Sequence, residues 1–135
     1  MASLQFKSMI ISYLKYRRKA QGKYHLHSPL VYDLYEKVLE PSTSFRPKSR
    51  HLLRDDAFYD VLDKNLKAFI NANPLIFKSD DVVMIVKDIH RNKQNEADWE
   101  RLKNDEKVRL SIDCWHFGMI FVMDRIKKEH YILKV

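Results

Sequence analysis

The alternation of apolar and polar positions divides the chain into a helical first half and a strand-bearing second half. From Leu4 to about Gln21, Phe6, Met9, Ile10, Tyr13 and Leu14 recur at three- and four-residue steps, the spacing of an amphipathic helix. Gly22 is expected to end it. Ser28 and Pro29 then suit an N-cap and a first helical turn, and Leu30, Val31, Leu34, Tyr35 and Val38 form one apolar stripe that stops before Pro41. Glu40 to Ser49, with Pro41, Ser42, Thr43, Ser44, Pro47 and Ser49, reads as a linker. A third helix is predicted from about Asp55 to Asn71, carrying Phe58, Val61, Leu62, Leu66, Phe69 and Ile70 on one face and closed off by Pro74.

The second half is organised around Val82 to Val86, an unbroken apolar run rich in β-branched residues. It predicts a strand buried on both faces inside a sheet covered by helices. Glu96 to Lys103 follows as a short helix with Trp99 and Leu102 turned inward. Val108, Leu110, Ile112 and Cys114 alternate with Arg109, Ser111 and Asp113, the pattern of a half-buried strand. Gly118 is expected to mark a turn or bulge, Met119 to Met123 a further strand, and His130 to Val135 a short last one. The fold class is therefore α/β, with an α+β appearance and three to four strands. Two segments are expected, a basic helical one over 1–45 and a sheet-bearing one over 46–135, together forming one compact unit.

Composition narrows the function classes. At 135 residues the chain suits one domain, and its two glycines, Gly22 and Gly118, limit the backbone positions that can approach a phosphate or nucleotide closely. The lone Cys114 forms no internal disulfide and no Cys/His zinc pattern, in keeping with a reducing, cytoplasmic setting and an inert buried thiol. No signal peptide or membrane span is expected, because Ser12 and Lys15 interrupt the apolar Met9-Ile10-Ile11.

Of the net charge of +7, residues 1–54 carry 11 Lys and Arg against three Asp and Glu, while residues 55–135 carry 14 against 15. Lys15, Arg17, Arg18, Lys19 and Lys23 crowd the end of the first helix, where they complement its dipole. With Tyr13, Tyr16 and Tyr24 interleaved, they could also contact nucleic acid, and Arg46 to Arg54 could add to that surface. His25 and His27 flank Leu26 without a carboxylate or cysteine at metal-ligand spacing. His90, His116 and His130 are scattered, and no nucleophile, base and orienting residue form a set. Sites in open α/β sheets gather at the carboxyl ends of strands, which directs attention to Lys87 to Arg91.

Two stretches resemble a bacterial family of class I S-adenosylmethionine (SAM) dependent methyltransferases. Ser12 to Arg17, then His27-Ser28-Pro29-Leu30-Val31-Tyr32, resemble its leading helices with their His-Ser-Pro-Phe-Val element. Asp81 to His90, then Trp99, Val108 to Asp113 and Gly118 to Val122, resemble its fifth strand with an Asp-Asp-Ile-His-Trp element, the next helix and a closing two-strand hairpin. The resemblance implies the C-terminal half of a Rossmann-like sheet and, in the family, SAM as cofactor. It also makes Asp88 and His90 remnants of a family site.

The family's glycine-bearing SAM turn has no counterpart, since Glu40 to Asp80 contains no glycine. Lys87 stands where related metal-dependent enzymes carry a second acid, so Asp88 alone falls short of a divalent-metal site, and a Lys87–Asp88 ion pair or plain solvation is expected instead. The resemblance thus implies an internally shortened chain that binds no cofactor by itself. Without the family's preceding strands, Val82 to Val86 would present an unpaired edge, for the N-terminal helices, a second copy or a protein partner to cover. A small basic module for nucleic acid or protein, or a remnant without selected function, are the other readings.

Overall fold

The computed structural model describes residues 11, 13–44 and 55–135, which form a mixed α/β structure with a four-stranded mixed sheet. They fall into two compact units, one spanning Gly22–Asp80 and the other combining the segment up to Gln21 with Asp81–Lys134. The expected boundary at 45/46, residues 4–10 and 12 of the expected first helix and the basic stretch Arg46 to Arg54 lie outside the described residues.

The unit Gly22–Asp80 is helical. A 3-10 turn (Lys23–His25) leads to α2 (Pro29–Leu34), where the Ser28 hydroxyl accepts the Val31 N–H at 3.3 Å and Pro29 occupies the first turn, as the sequence predicts. The helix does not stop before Pro41. It passes through a π-helical turn (Tyr35–Leu39) into α3 (Glu40–Ser44), so the first half of the expected linker is helix. A proline ring clashes with the carbonyl four residues back, and the widened turn directly before Pro41 gives it room.

Ser42 and Thr43 donate to the Val38 and Leu39 carbonyls at 2.5 and 2.9 Å, and both side chains are buried. Ser42 also accepts Asn65 Nδ2 at 2.9 Å, tying α3 to α4 (Asp56–Asn71). The Asp55 carboxylate caps α4 through the Phe58 N–H at 2.9 Å, and Phe58, Tyr59, Leu62, Leu66 and Phe69 form its buried face. Phe77 returns onto Phe69 edge to face at 5.9 Å.

The second unit holds α1 (residues 13–19), β1 (Val82–Lys87), α5 (Lys93–Lys103), β2 (Val108–Asp113), β3 (Phe117–Val122) and β4 (Glu129–Ile132). The strand order is β1-β3-β2-β4, with β3 antiparallel to both neighbours and β4 parallel to β2. Hence β1 and β2 run in one direction, linked through α5, and the hairpin strand β3 lies between them. After α1 ends at residue 19, short of Gly22, Gln21 forms a parallel bridge to Leu133, and the Tyr16 hydroxyl donates to the Leu133 carbonyl.

Three expectations need correction. First, β1 is an edge strand whose strand neighbour among the described residues is β3 alone, and it is not buried on both faces. Val82 and Met84 are 49% and 44% exposed, because only Val86 at its far end packs onto the cluster of Ile89, Trp99, Val108 and Ile120.

Second, β2 is an interior strand whose polar residues do not face water. A register shift between Val108 and Leu110 keeps Val108 opposite Val122 while Leu110 moves opposite Phe121. Ser111 and Asp113 therefore share the face of Ile120 and Gly118 beneath α5, and both are buried. Third, Gly118 is neither turn nor bulge. It pairs within β3 with Val86 and Asp113, and a Cβ there would lie 2.4 Å from Trp99 Cη2. The absence of a side chain there is what lets the indole come this close to the strand.

Candidate functional site

The chemistry-bearing residues meet at the carboxyl ends of β1 and β2. Two non-glycine residues there adopt left-handed backbone, Asp88 at φ 57° just after β1 and Trp115 at φ 67° in the β2–β3 turn. Aspartate tolerates this conformation, whereas for a residue as bulky as Trp115 it is rare and costs on the order of 1–3 kcal/mol, so the surroundings must hold it. The Asp88 N–H donates to the His116 carbonyl at 2.8 Å, and the Asp88 carbonyl accepts Asn95 Nδ2 at 3.0 Å. The Trp115 N–H donates to Asp113 Oδ1 at 2.9 Å.

These bends aim the chain at His90. Its Nε2 lies 2.6 Å from Asp113 Oδ2 and its Nδ1 lies 2.7 Å from Glu96 Oε2, so one imidazole bridges two carboxylates. Glu96 sits in the first turn of α5, which Asn92 caps by accepting the Asn95 N–H at 2.8 Å. Indole and imidazole stack at 4.5 Å with 13° between their planes, and the rings of Tyr13 and Tyr16 from α1 close on Trp115 at 5.0 and 5.4 Å. Burial works against the charged ring, but Asp113 and then Glu96 outweigh it, and the His90 pKa is raised above its ordinary 6.5.

The arrangement favours an imidazolium whose two donors are both used. Asp113 spends one oxygen on His90 and the other on the Trp115 N–H. Among the described residues no group of three or more His, Cys, Asp or Glu has the disposition of a metal site. Asp88, the other residue to which the resemblance points, has its carboxylate 3.8 Å from the Arg91 guanidinium.

The remaining candidates are dispersed. His130 Nδ1 lies 2.8 Å from the Ser111 hydroxyl, and desolvation, then the nearby Lys103, lower its pKa. His116 takes part in the β2–β3 turn through its backbone, Cys114 is buried, and His25 and His27 are exposed on either side of Leu26. Lys15, Arg17, Arg18 and Lys19 are all exposed on α1. Lys23 belongs to the helical unit, 3.1 Å from Glu40 and 3.5 Å from Glu36, with its ammonium over the Tyr32 ring.

Sequence reasoning found His90 and Asp88 but missed Glu96, Asp113 and Trp115. No protein-family model, curated protein or solved structure matches the chain. No described helix is long and apolar enough to cross a membrane.

Proposed function

We propose that the chain is an internally shortened relative of the bacterial class I SAM-dependent methyltransferases, and that alone it neither binds SAM nor transfers a methyl group. The observation that carries the reading is the placement of the resembling segments. The segment likened to the family's fifth strand, the helix after it and the closing hairpin join one sheet, with β1 and β2 codirectional and β3 between them.

The loss of cofactor binding is supported by the glycines. A nucleotide needs close backbone approach, yet the open side of Gly118 is filled by Trp99, and Gly22 precedes a 3-10 turn in extended conformation. Loss of catalysis is supported by His90, whose two nitrogens are committed to Asp113 and Glu96. Calorimetric titration of the whole chain with SAM and with S-adenosylhomocysteine tests this. No saturable heat is expected, and one-to-one binding in the micromolar range would overturn the reading.

A second reading, a basic module for nucleic acid, is favoured by the exposure of Lys15, Arg17, Arg18 and Lys19 on one short helix. It predicts affinity that falls steeply with salt, with a slope reduced when Arg17, Arg18 and Lys19 are neutralised. Binding indifferent to both salt and these substitutions would remove it.

A further inference from the structure

We infer that β1 is a homodimerisation strand, pairing antiparallel with β1 of a second copy about a two-fold axis at Met84. The inference goes beyond the proposed ancestry and rests on the edge geometry alone.

Along β1 the backbone groups alternate in direction. The Asp88 N–H donates to the His116 carbonyl, toward the β3 side, so Met84 and Val86, which share its parity, also point their backbone groups at β3. Val83 and Ile85 therefore point theirs outward from the sheet edge. On the α5 face, Val82 and Met84 are large apolar side chains left substantially exposed. An edge with outward backbone groups and exposed apolar residues beside it is a template for another strand.

The sequence of the strand selects a second copy as that strand. In antiparallel pairing about a two-fold axis perpendicular to the sheet, opposed residues share a face, which limits the centre to single residues. With Met84 at the centre, Met84 opposes itself, Val82 opposes Val86 of the second copy, and Val83 opposes Ile85 of the second copy. Every pair is apolar against apolar. Asp81, held by Arg125 at 2.5 Å, then comes opposite Lys87 of the second copy at both ends, acid against base.

Centring on Ile85 would instead set Lys87 against Val83, and centring on Val83 would set Asp81 against Ile85. Only the Met84 register satisfies both the apolar and the charged positions. Val83 and Ile85 become the hydrogen-bonded pairs, exchanging the outward groups, while Met84 meets itself in a closer, non-hydrogen-bonded pair.

Light scattering and sedimentation of the full chain over a range of concentrations test this, together with two variants. The wild-type chain is expected to show a monomer–dimer equilibrium. Met84→Lys opposes two cations at the axis and is expected to give monomer with an unchanged far-ultraviolet spectrum and cooperative melt, since the side chain is already exposed. Met84→Cys places two thiols at a non-hydrogen-bonded pair, with Cα atoms about 4.5 Å apart. That lies within the range a disulfide spans, so mild oxidation is expected to yield a covalent dimer, which Val82→Cys, facing Val86 of the second copy, does not form. A wild-type chain that is monomeric throughout overturns the inference. So does a dimer that persists in Met84→Lys, or one in which Cys at 82 crosslinks as well as Cys at 84.

Discussion

Exchanging Gly118 for alanine tests the packing beneath the candidate site. Gly118 has no positive φ, so alanine meets no backbone strain, and the cost is purely steric. The new Cβ would stand 2.4 Å from Trp99 Cη2, 2.5 Å from Cζ3 and 3.0 Å from Cζ2, against the roughly 3.5–4.0 Å of an ordinary carbon contact. The indole is 1% exposed and packed among Ile89, Val108 and Ile120, so it cannot retreat by the ångström required.

Overpacking of this kind costs about 1–3 kcal/mol, and the severity of the clash places Gly118→Ala near the upper end. The lower chain entropy of alanine returns only about 0.4–1 kcal/mol. Trp99→Leu alone leaves a partly refilled cavity and is expected to cost about 2–3 kcal/mol, somewhat less than truncation to alanine. In the double variant the added methyl enters the vacated space, so the combined cost should stay near that of Trp99→Leu, a favourable coupling of about 2 kcal/mol. Urea unfolding followed by far-ultraviolet circular dichroism measures all four corners of the cycle. Costs that simply add, within about 0.5 kcal/mol, would show that Trp99 does not lie over Gly118.

The His90 bridge predicts a pH dependence of defined sign. Because its folded pKa is raised above 6.5, its contribution is complete below about pH 6.5 and is lost as pH rises through the folded pKa; urea midpoints should fall over that window, and His90→Gln should flatten the slope. Asp55→Ala should destabilise α4 by about 1 kcal/mol, with Asp55→Ser recovering most of it, as read from amide exchange of the helix. Cys114, 2% exposed, should react with an aromatic disulfide reagent only at the rate of unfolding, and rapid labelling of the native chain would contradict its burial.

Local signals carried much of the fold. Ser28 with Pro29 acts within one helical turn, and the structure places that cap where the spacing indicates, while Asp55, expected as the first residue of the third helix, stands just before it as the N-cap. Pro41 misled because a proline usually ends a helix, whereas here a π-helical turn absorbs it and the hydroxyls of Ser42 and Thr43 satisfy inward carbonyls. Val82 to Val86 misled because an unbroken apolar run normally means burial on both faces. Its exposure follows from strand order, which no local pattern encodes.

The site was legible only as a location. His90 follows a strand, where the sequence directs attention, but its partners come from α5 and from a residue 23 positions later. Asp113 was concealed by alternation, which assigns it to the solvent side together with Ser111. The register shift after Val108 sets both on the α5 face, where a carboxylate without a cation would be costly to bury. His90 supplies that cation, Trp115 adopts left-handed backbone to stack on it, and Tyr13 and Tyr16 bring α1 against the same ring. The irregularity in pairing thus selects the face on which the acid is buried, since Leu110, Ile112, Phe117, Met119 and Phe121 fill the other, and His90 neutralises it there. The cluster joins α1, β1, α5 and β2 through contacts that leave His90 no idle nitrogen, which suits a structural tie better than a proton-transfer centre.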